Sequence, residues 1–405
     1  MTAALEAAEA GAEVFLIEKT ASLGGRVAQL AKYFPKLCPP TCGLEINYQR
    51  LRDNSRIQVL TTATLDSLTG EPGHYQATIT VAPRYINDRC TGCNACAEAC
   101  PVERPDAYNY GMSTTKAAYL PHQMAYPFKY AIDPDSCLFD ECAKCVPACP
   151  YGAIDLHMQP TTYNLEVGSV IVATGWAPYD ANAITNLAFS SLDDVVTNVM
   201  FERLAAPNGP TGGALQRPSD GRPAKRVAFI QCAGSRDRLH LRYCSSICCL
   251  ASLKEAAILT EADPEAVATV FYIDLRTPGT YESFASRVLS SERVNAVKGK
   301  VADILLDPET KDLIVIADDM TGAGMSRTAV DLVVLATGME SSLRGSQTAE
   351  LLGVDEDAFL DGSGVPGLIG AGCAKGPVDV QTATLDATAA AMAALRMIRP
   401  HASHS

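Results

Sequence analysis

Apolar residues along this chain recur mostly in runs the length of a buried strand, separated by short helical stretches. Residues 1–10 read as an alanine-rich helix, Gly11 as a turn, and Val14 through Ile17 as a buried strand ending in Glu18 and Lys19. Residues 57–64 and 74–81 alternate as a pair of strands about a turn at Gly70, Glu71, Pro72 and Gly73. Residues 165–173, 226–231 and 332–336 are apolar-rich stretches of the kind that form buried parallel strands, and residues 272–276 are a more polar candidate. Two of these runs end in one tripeptide, Ala173, Thr174, Gly175 and Ala336, Thr337, Gly338. An alanine-rich helix is expected over residues 383–396.

Strands alternating with helices predict an α/β fold, and the repeated strand-to-turn predicts two Rossmann-like dinucleotide-binding domains. Residues 1–19 match the second half of a βαβ dinucleotide unit, in which the acid at the strand end takes the ribose hydroxyls. Glu18 taken alone also reads as a surface acid. No strand and no G-x-G-x-x-G precede the helix, so the expectation is a misplaced or truncated start rather than loss of the phosphate-cradling turn. Gly24, Gly25 and Arg26 follow where flavoproteins with two dinucleotide domains bring a glycine pair and a base against FAD, the glycines for close approach and Arg26 for phosphate charge. Residues 364–379, with Gly370, Gly372, Cys373 and Pro377, resemble the second FAD contact, a glycine-rich turn at a helix start. Cys373 stands in a neighbourhood that many relatives give to aspartate.

Fifteen cysteines supply the candidate chemistry. Cys90, Cys93, Cys96 and Cys100, followed by Pro101, form the C-x2-C-x2-C-x3-C-P run of a bacterial-type ferredoxin. Cys137, Cys142, Cys145 and Cys149, followed by Pro150, repeat it with one gap widened. In such pairs the fourth cysteine of each run serves the other cluster, which predicts one [4Fe-4S] cluster on Cys90, Cys93, Cys96 and Cys149 and a second on Cys137, Cys142, Cys145 and Cys100. Zinc would favour paired C-x2-C knuckles with four ligands per site. Small residues such as Gly92 and Ala95 are expected to let amide groups reach the sulfurs. His122 and His157 read as surface or hydrogen-bonded residues.

A third group, Cys232, Cys244, Cys248 and Cys249, lies where a nicotinamide-binding domain would carry its glycine cradle and leads into a helix around Leu253. It predicts a third [4Fe-4S] site, with a sharp bend required for adjacent Cys248 and Cys249 to serve together; buried structural thiols are the plainer alternative. A cradle turned into a metal site disfavours NAD(P)H, so electrons would pass through clusters. Cys38 and Cys42, in a proline-rich loop, are open to three readings: a redox pair, ligands to a further centre, or two buried thiols.

Composition narrows the class further. Apolar residues make up 47% of the 405, enough for two or three cores. A net charge of -13 without a basic run disfavours nucleic acid and leaves room for a basic protein partner. The cysteine usage without a recognisable signal peptide points to a reducing, cytoplasmic setting. No apolar run approaches the roughly 20 residues of a spanning helix, so membrane association is expected only through partner subunits.

With these residues the chain resembles the A subunit of heterodisulfide reductases. The resemblance rests on Gly24, Gly25 and Arg26, the two-cluster insert, the third cysteine group, Asp274 with Arg276, and Gly372, Cys373 and Pro377. Within that group, residues 33–47 look most like the A subunit of the quinone-interacting membrane-bound oxidoreductase complex. The resemblance implies FAD in a thioredoxin-reductase-like fold and a cluster bound by Cys232, Cys244, Cys248 and Cys249. It further implies two partners, a second flavoprotein and a haem-bearing membrane protein, and electron exchange between quinone and adenylylsulfate reductase; a homodimer is also compatible. The expected domains are 1–82 (FAD), 83–160 (ferredoxin-like insert), 161–220 (FAD return and linker), 221–340 (second Rossmann-like domain) and 341–405 (FAD again). No side chain stands out as a catalytic acid or base. A heterodisulfide reductase subunit of a thiol-disulfide or sulfur-oxidation complex is the alternative within this class. An NAD(P)H-dependent flavoprotein like the small subunit of glutamate synthase would need an intact glycine cradle after Gln231, and a flavin-free wiring or assembly subunit is a different class.

Overall fold

A computed structural model describes residues 1–321, 324–361, 365 and 367–398. Gly364 and Pro366 of the expected FAD turn and the last residues, 399–405, lie outside the described residues.

The largest layer is a seven-stranded sheet in the order Val195–Thr197, Leu332–Thr337, Arg226–Ala233, Val267–Tyr272, Val294–Leu306, Leu313–Asp319, Gly324–Val330. Its first five strands pair in parallel, and the last three form an antiparallel meander. All six residues of Leu332–Thr337 are buried, as a central parallel strand requires. Side chains alternate across it with period two. Val227, Phe229, Leu332 and Val334 pack against the helices Asn198–Ala205, Cys248–Ala262 and Tyr281–Leu289, while Ala228, Ile230, Val333 and Leu335 pack against the meander through Val301, Leu313 and Val315.

The flavin-like part is built from smaller pieces. Val14–Glu18 pairs in parallel with Ile57–Thr61, and Val170–Val172 in parallel with Leu368–Gly370. The helices Thr2–Glu9 and Val380–Ile398 pack together through Ala3, Ala7 and Ala391, small residues that permit close approach, with Val14 and Ile171 against the same cluster. An antiparallel sheet of Ala63–Glu71, His74–Val81 and Thr161–Val167 completes this part. The insert departs after Val81 and returns at Thr161, and these two residues are register partners on neighbouring strands. A whole module can therefore be inserted without disturbing the sheet.

Several expectations change. Of the strand expected at 57–64, only residues 63 and 64 pair with 74–81: Ile57–Thr61 joins the parallel pair, and the hairpin partner is Ala63–Glu71, closing with Glu71 opposite His74. Residues 165–173 are two strands, because the chain passes between sheets at Gly168, whose carbonyl accepts the Gly73 N–H at 2.9 Å. The strand expected at 272–276 ends at Tyr272. The linker expected within 161–220 contains Val195–Thr197 and Asn198–Ala205, so the second domain begins earlier than residue 221.

Buried charge joins these parts. Lys254 pairs with Glu202 at 2.5 Å and donates to the Lys32 carbonyl at 3.0 Å, while Glu202 accepts the Ala31 N–H at 2.8 Å. Glu255 is fully buried beside them; burial first, then the Glu202 charge, pushes its carboxyl well above the usual range, against the pull of Lys254. The folded chain keeps a proton that the unfolded chain loses. Stability thus falls as pH rises above the ordinary carboxylate range, by about 1.4 kcal/mol for each unit over which only the unfolded carboxyl ionises. Glu255→Gln removes this dependence. Thermal melts followed by circular dichroism should show variant and parent alike near pH 4 and the variant melting about 2 °C or more higher at pH 8; coincident melts at both pH values would contradict it.

Candidate cluster and flavin sites

In the insert, the helices Ala95–Ala99 and Cys145–Ala148 pack against one another, and each cysteine run wraps the start of its helix and leaves from its end. Cys96 and Cys145 are buried in the insert's core, with Cys90, Cys100, Cys137 and Cys149 packed around them. Cys100 has crossed to the second run: it lines one small cavity with Cys137, Cys142 and Cys145. The widened gap of that run is taken up by a short 3-10 helix, Phe139–Glu141, with Phe139 and Ala143 in the left-handed region.

Two sulfurs already accept backbone donors, Cys137 Sγ from the Phe139 N–H and Cys149 Sγ from the Ala153 N–H, both at 3.3 Å. Such bonds favour thiolate. Burial acts the other way on the free thiols, pushing Cys96 to about 12 with help from Cys90, and raising Cys137 and Cys145. A bound cation would offset what remains of that penalty. Among the described residues no group of three or more His, Cys, Asp or Glu converges as for a single ion; a four-iron cube, each iron taking one thiolate, asks for wider spacing than zinc. Gly92 has φ +74°, and a Cβ there would meet the Phe128 ring at 2.2 Å, so the glycine also seats an aromatic lid.

The third group gathers as well. Arg226–Ala233 breaks its register between Ile230 and Ala233, and Cys232 sits in that break with φ 56°. Ser246, with φ 56°, makes the bend before the helix Cys248–Ala262. The bend lets adjacent thiols diverge, Cys248 Sγ toward the Thr337 carbonyl (3.8 Å) and Cys249 Sγ toward that of Asp274 (3.7 Å). Ser246 N–H donates to Cys244 Sγ at 3.4 Å. Burial, reinforced by Cys232, Cys249 and Cys244, raises the Cys248 thiol far above its ordinary value. At the adjoining turn a Cβ on Gly338 would meet Ser235 Oγ, the Leu241 side chain and Ser245 Oγ at 2.4, 2.5 and 2.9 Å. The second Ala-Thr-Gly turn therefore seats the cysteine loop.

Both Ala-Thr-Gly turns lie side by side. The strands that follow them, Trp176–Pro178 and Met339–Ser341, pair antiparallel, and the Tyr179 N–H donates to the Gly338 carbonyl at 2.8 Å. The residues expected around FAD cluster at the carboxyl ends of the parallel strands, where α/β folds place their ligands. Glu18 ends the first strand, accepting from Thr20, and Lys19 follows it; Ala173 and Thr174 are exposed, and Gly175 has φ +76°. Gly24, at φ +112°, lies against Tyr48, whose hydroxyl would be 2.6 Å from a Cβ. Gly25 opens the 3-10 helix Gly25–Gln29. Arg26 is otherwise engaged than expected: it stacks on Tyr110 and Trp176 and donates to the Tyr110 hydroxyl at 2.9 Å, which commits its charge to joining insert and flavin part. Gly370 ends its strand and Pro377 is half-buried. The Gly372 N–H is taken by Asp386 at 2.7 Å, and Cys373 is buried, pointing its thiol at the Val378 carbonyl (3.4 Å).

Other side chains settle by their surroundings. Cys38 and Cys42 are both exposed, which removes the buried-thiol reading. His122 stacks on Tyr108 at 5.0 Å, its Nε2 buried without a partner, and burial followed by Arg203 lowers it to about 4; His157 lies at the surface near Asp140. Arg84 and Arg203 had no sequence signal. Arg84 donates to the carbonyls of Tyr130 (2.7 Å), Ala21 and Lys129, so it too fastens the insert.

Residues 89–153 match the family model described as a 4Fe-4S dicluster domain. The chain is 37% identical over 408 residues to the iron-sulfur A subunit of the CoB--CoM heterodisulfide reductase of Methanocaldococcus jannaschii, covering 96% of this chain and 61% of that protein. It is 33% identical over 412 residues to the A subunit of the H(2):CoB-CoM heterodisulfide,ferredoxin reductase of Methanothermobacter marburgensis, covering 98% and 62%. The chain belongs to the family of heterodisulfide reductase A subunits. It spans about 61% of the length of the curated relatives it matches. In backbone, this family member is similar to thioredoxin reductase from Lactococcus lactis, at 13% identity and a TM-score of 0.49 over 98% of this chain and 94% of that one. For the family's dicluster module the crossed path of Cys100 has a direct consequence. Cys100→Ser and Cys137→Ser should each remove about four iron per chain and together remove no more, whereas Cys100→Ser with Cys93→Ser removes about eight. Iron and sulfide analysis reads this, and additive loss in the first pair would contradict the crossing.

Proposed function

We propose that the chain is an oxidoreductase subunit that carries FAD and [4Fe-4S] clusters and passes electrons among them within a heterodisulfide-reductase-type complex. The observation that carries this reading is the meeting of Cys232, Cys244, Cys248 and Cys249 at the strand ends where a nucleotide cradle would stand, with Leu241 filling the space over Gly338. Eight insert cysteines would hold two clusters and these four a third. Glu18, Gly24, Gly25, Gly175 and Gly370 would line the flavin, with Gly372 and Pro377 at its edge.

A bound flavin exchanges two electrons and each cluster one, so their combination converts between two-electron and one-electron steps. The side chains bind and position rather than transfer protons. Arg26 fixes Trp176 and Tyr110 beside the first Ala-Thr-Gly turn, and Gly338 holds the cysteine loop one strand pair away. No helix among the described residues is long and apolar enough to cross a membrane, so a membrane role would run through a partner.

The named relatives act on CoB-CoM heterodisulfide, and the parallel reading for this chain is a complex that reduces or forms a thiol disulfide. Residues 33–47 favour a second reading, the quinone-interacting complex with adenylylsulfate reductase, a haem-bearing membrane subunit and a second flavoprotein. Purification of the chain from its native cells, with partner identification by mass spectrometry and a haem spectrum, separates the two. The isolated chain, reconstituted anaerobically, should hold about twelve iron, falling to about eight in Cys248→Ser/Cys249→Ser. NADH should leave its visible spectrum unbleached. Bleaching by NADH, or unchanged iron in the double variant, would overturn the proposal.

A further inference from the structure

The loop between Cys232 and Cys244 springs from the third cysteine group, with Leu241 seated on Gly338, and presents an unusual surface. Leu239 is 88% exposed, more than any other large apolar side chain among the described residues. Arg238 and Arg242 on either side of it are exposed and, among the described residues, have neither hydrogen bond nor ion pair. The exposure does not come from slackness. Leu241 N–H bonds to the Gly234 carbonyl at 2.8 Å, Asp237 N–H to the Leu241 carbonyl at 2.9 Å and Arg236 N–H to the Tyr243 carbonyl at 3.0 Å, while His240 Nδ1 meets the Tyr179 hydroxyl at 2.8 Å. Its acids are spent internally: Asp237 on the Leu239 N–H and Lys300, and nearby Asp274 on Arg236 and Arg276. The outward face is thus an apolar centre between two free guanidiniums, on a chain whose net charge is -13.

We propose that this loop is the docking site for a small acidic electron-transfer protein, which exchanges single electrons with the cysteine group beneath it. The proposal rests on that group holding a cluster. One electron leaves the carrier's reduced centre and enters the oxidised cluster; no bond or proton is exchanged. Charge complementarity selects the partner, since an acidic carrier is repelled by the rest of this chain and attracted here. A rigid apolar tip with an arginine rim also suits a small, short-lived interface, because little ordering is lost on contact.

The test uses the full chain loaded with clusters and a small acidic ferredoxin as probe. Stopped-flow reduction of the chain by the reduced ferredoxin should slow as salt rises. In Arg238→Glu/Arg242→Glu the rate at low salt should fall about tenfold or more and lose most of its salt dependence. Leu239→Ser should fall severalfold, and Arg56→Glu, far along the surface, should change little. Iron content and reduction by photoreduced deazaflavin should be unaltered in all. Equal ferredoxin rates in the loop variants and parent would overturn the proposal, as would a concentration-dependent dimer that Leu239→Ser abolishes, which would make the loop a self-contact. Calorimetric binding of ferredoxin needs no cluster: binding lost in the arginine variants of a chain holding only about eight iron would place the failure in the third cluster and not in the docking loop.

Discussion

Arg203 holds the molecule's parts in register. Its side chain is fully buried on the helix Asn198–Ala205, yet among the described residues no carboxylate forms an ion pair with it. The guanidinium is satisfied by neutral acceptors: Asn109 Oδ1 at 2.9 Å, the Gln29 carbonyl at 3.1 Å, and Asn208 through carbonyl and side chain at 3.0 and 2.9 Å. It also lies over the Tyr108 ring, 4.6 Å from the centroid. Those partners belong to the insert, the flavin part and the second domain. A cation taken out of water is tolerated only while each of its donors is met, so the three bodies cannot shift independently without stranding it. The electron transfer proposed across their boundaries would need that fixed spacing.

The same logic governs the neighbouring Glu202 and Lys254, which tie the cysteine-bearing helix to the loop at residues 31–32. Arg84 and Arg26 do this for the insert, reaching carbonyls and aromatic faces rather than acids. Planar guanidiniums suit such seams because one side chain supplies several donors in a fixed fork. The Tyr48 and Tyr126 rings, stacked 5.4 Å apart, bridge the flavin part and the insert in the same way without charge.

The second domain shows how a nucleotide scaffold accommodates thiols. A parallel sheet leaves a crevice at the carboxyl ends of its strands, and whatever fills the first turn decides what can enter. Here a register break puts Cys232 in a left-handed conformation, and Leu241, Ser235 and Ser245 press on Gly338. The repeated Ala-Thr-Gly thus does two jobs: one copy keeps an exposed turn at Gly175, the other a seat for the loop.

Much of this was legible in residue order alone. Thiol spacing is a local property, because three ligands a few residues apart can wrap a cluster only through a particular turn; the two ferredoxin runs could therefore be read from the sequence, and Cys100 does come to line one cavity with Cys137, Cys142 and Cys145. The central strands Arg226–Ala233 and Leu332–Thr337 were legible too. Pairing was not legible. Residues 57–64 alternate as a hairpin strand would, but the choice between a parallel partner at Val14–Glu18 and an antiparallel one is made by what else lies on each face. Nor could order alone show that Arg26 is spent on Trp176 and Tyr110, that Cys373 turns inward, or that Arg203 is buried. A charged side chain's role depends on which acceptors tertiary packing brings to it, and those acceptors are mostly backbone carbonyls, which carry no residue-specific signal.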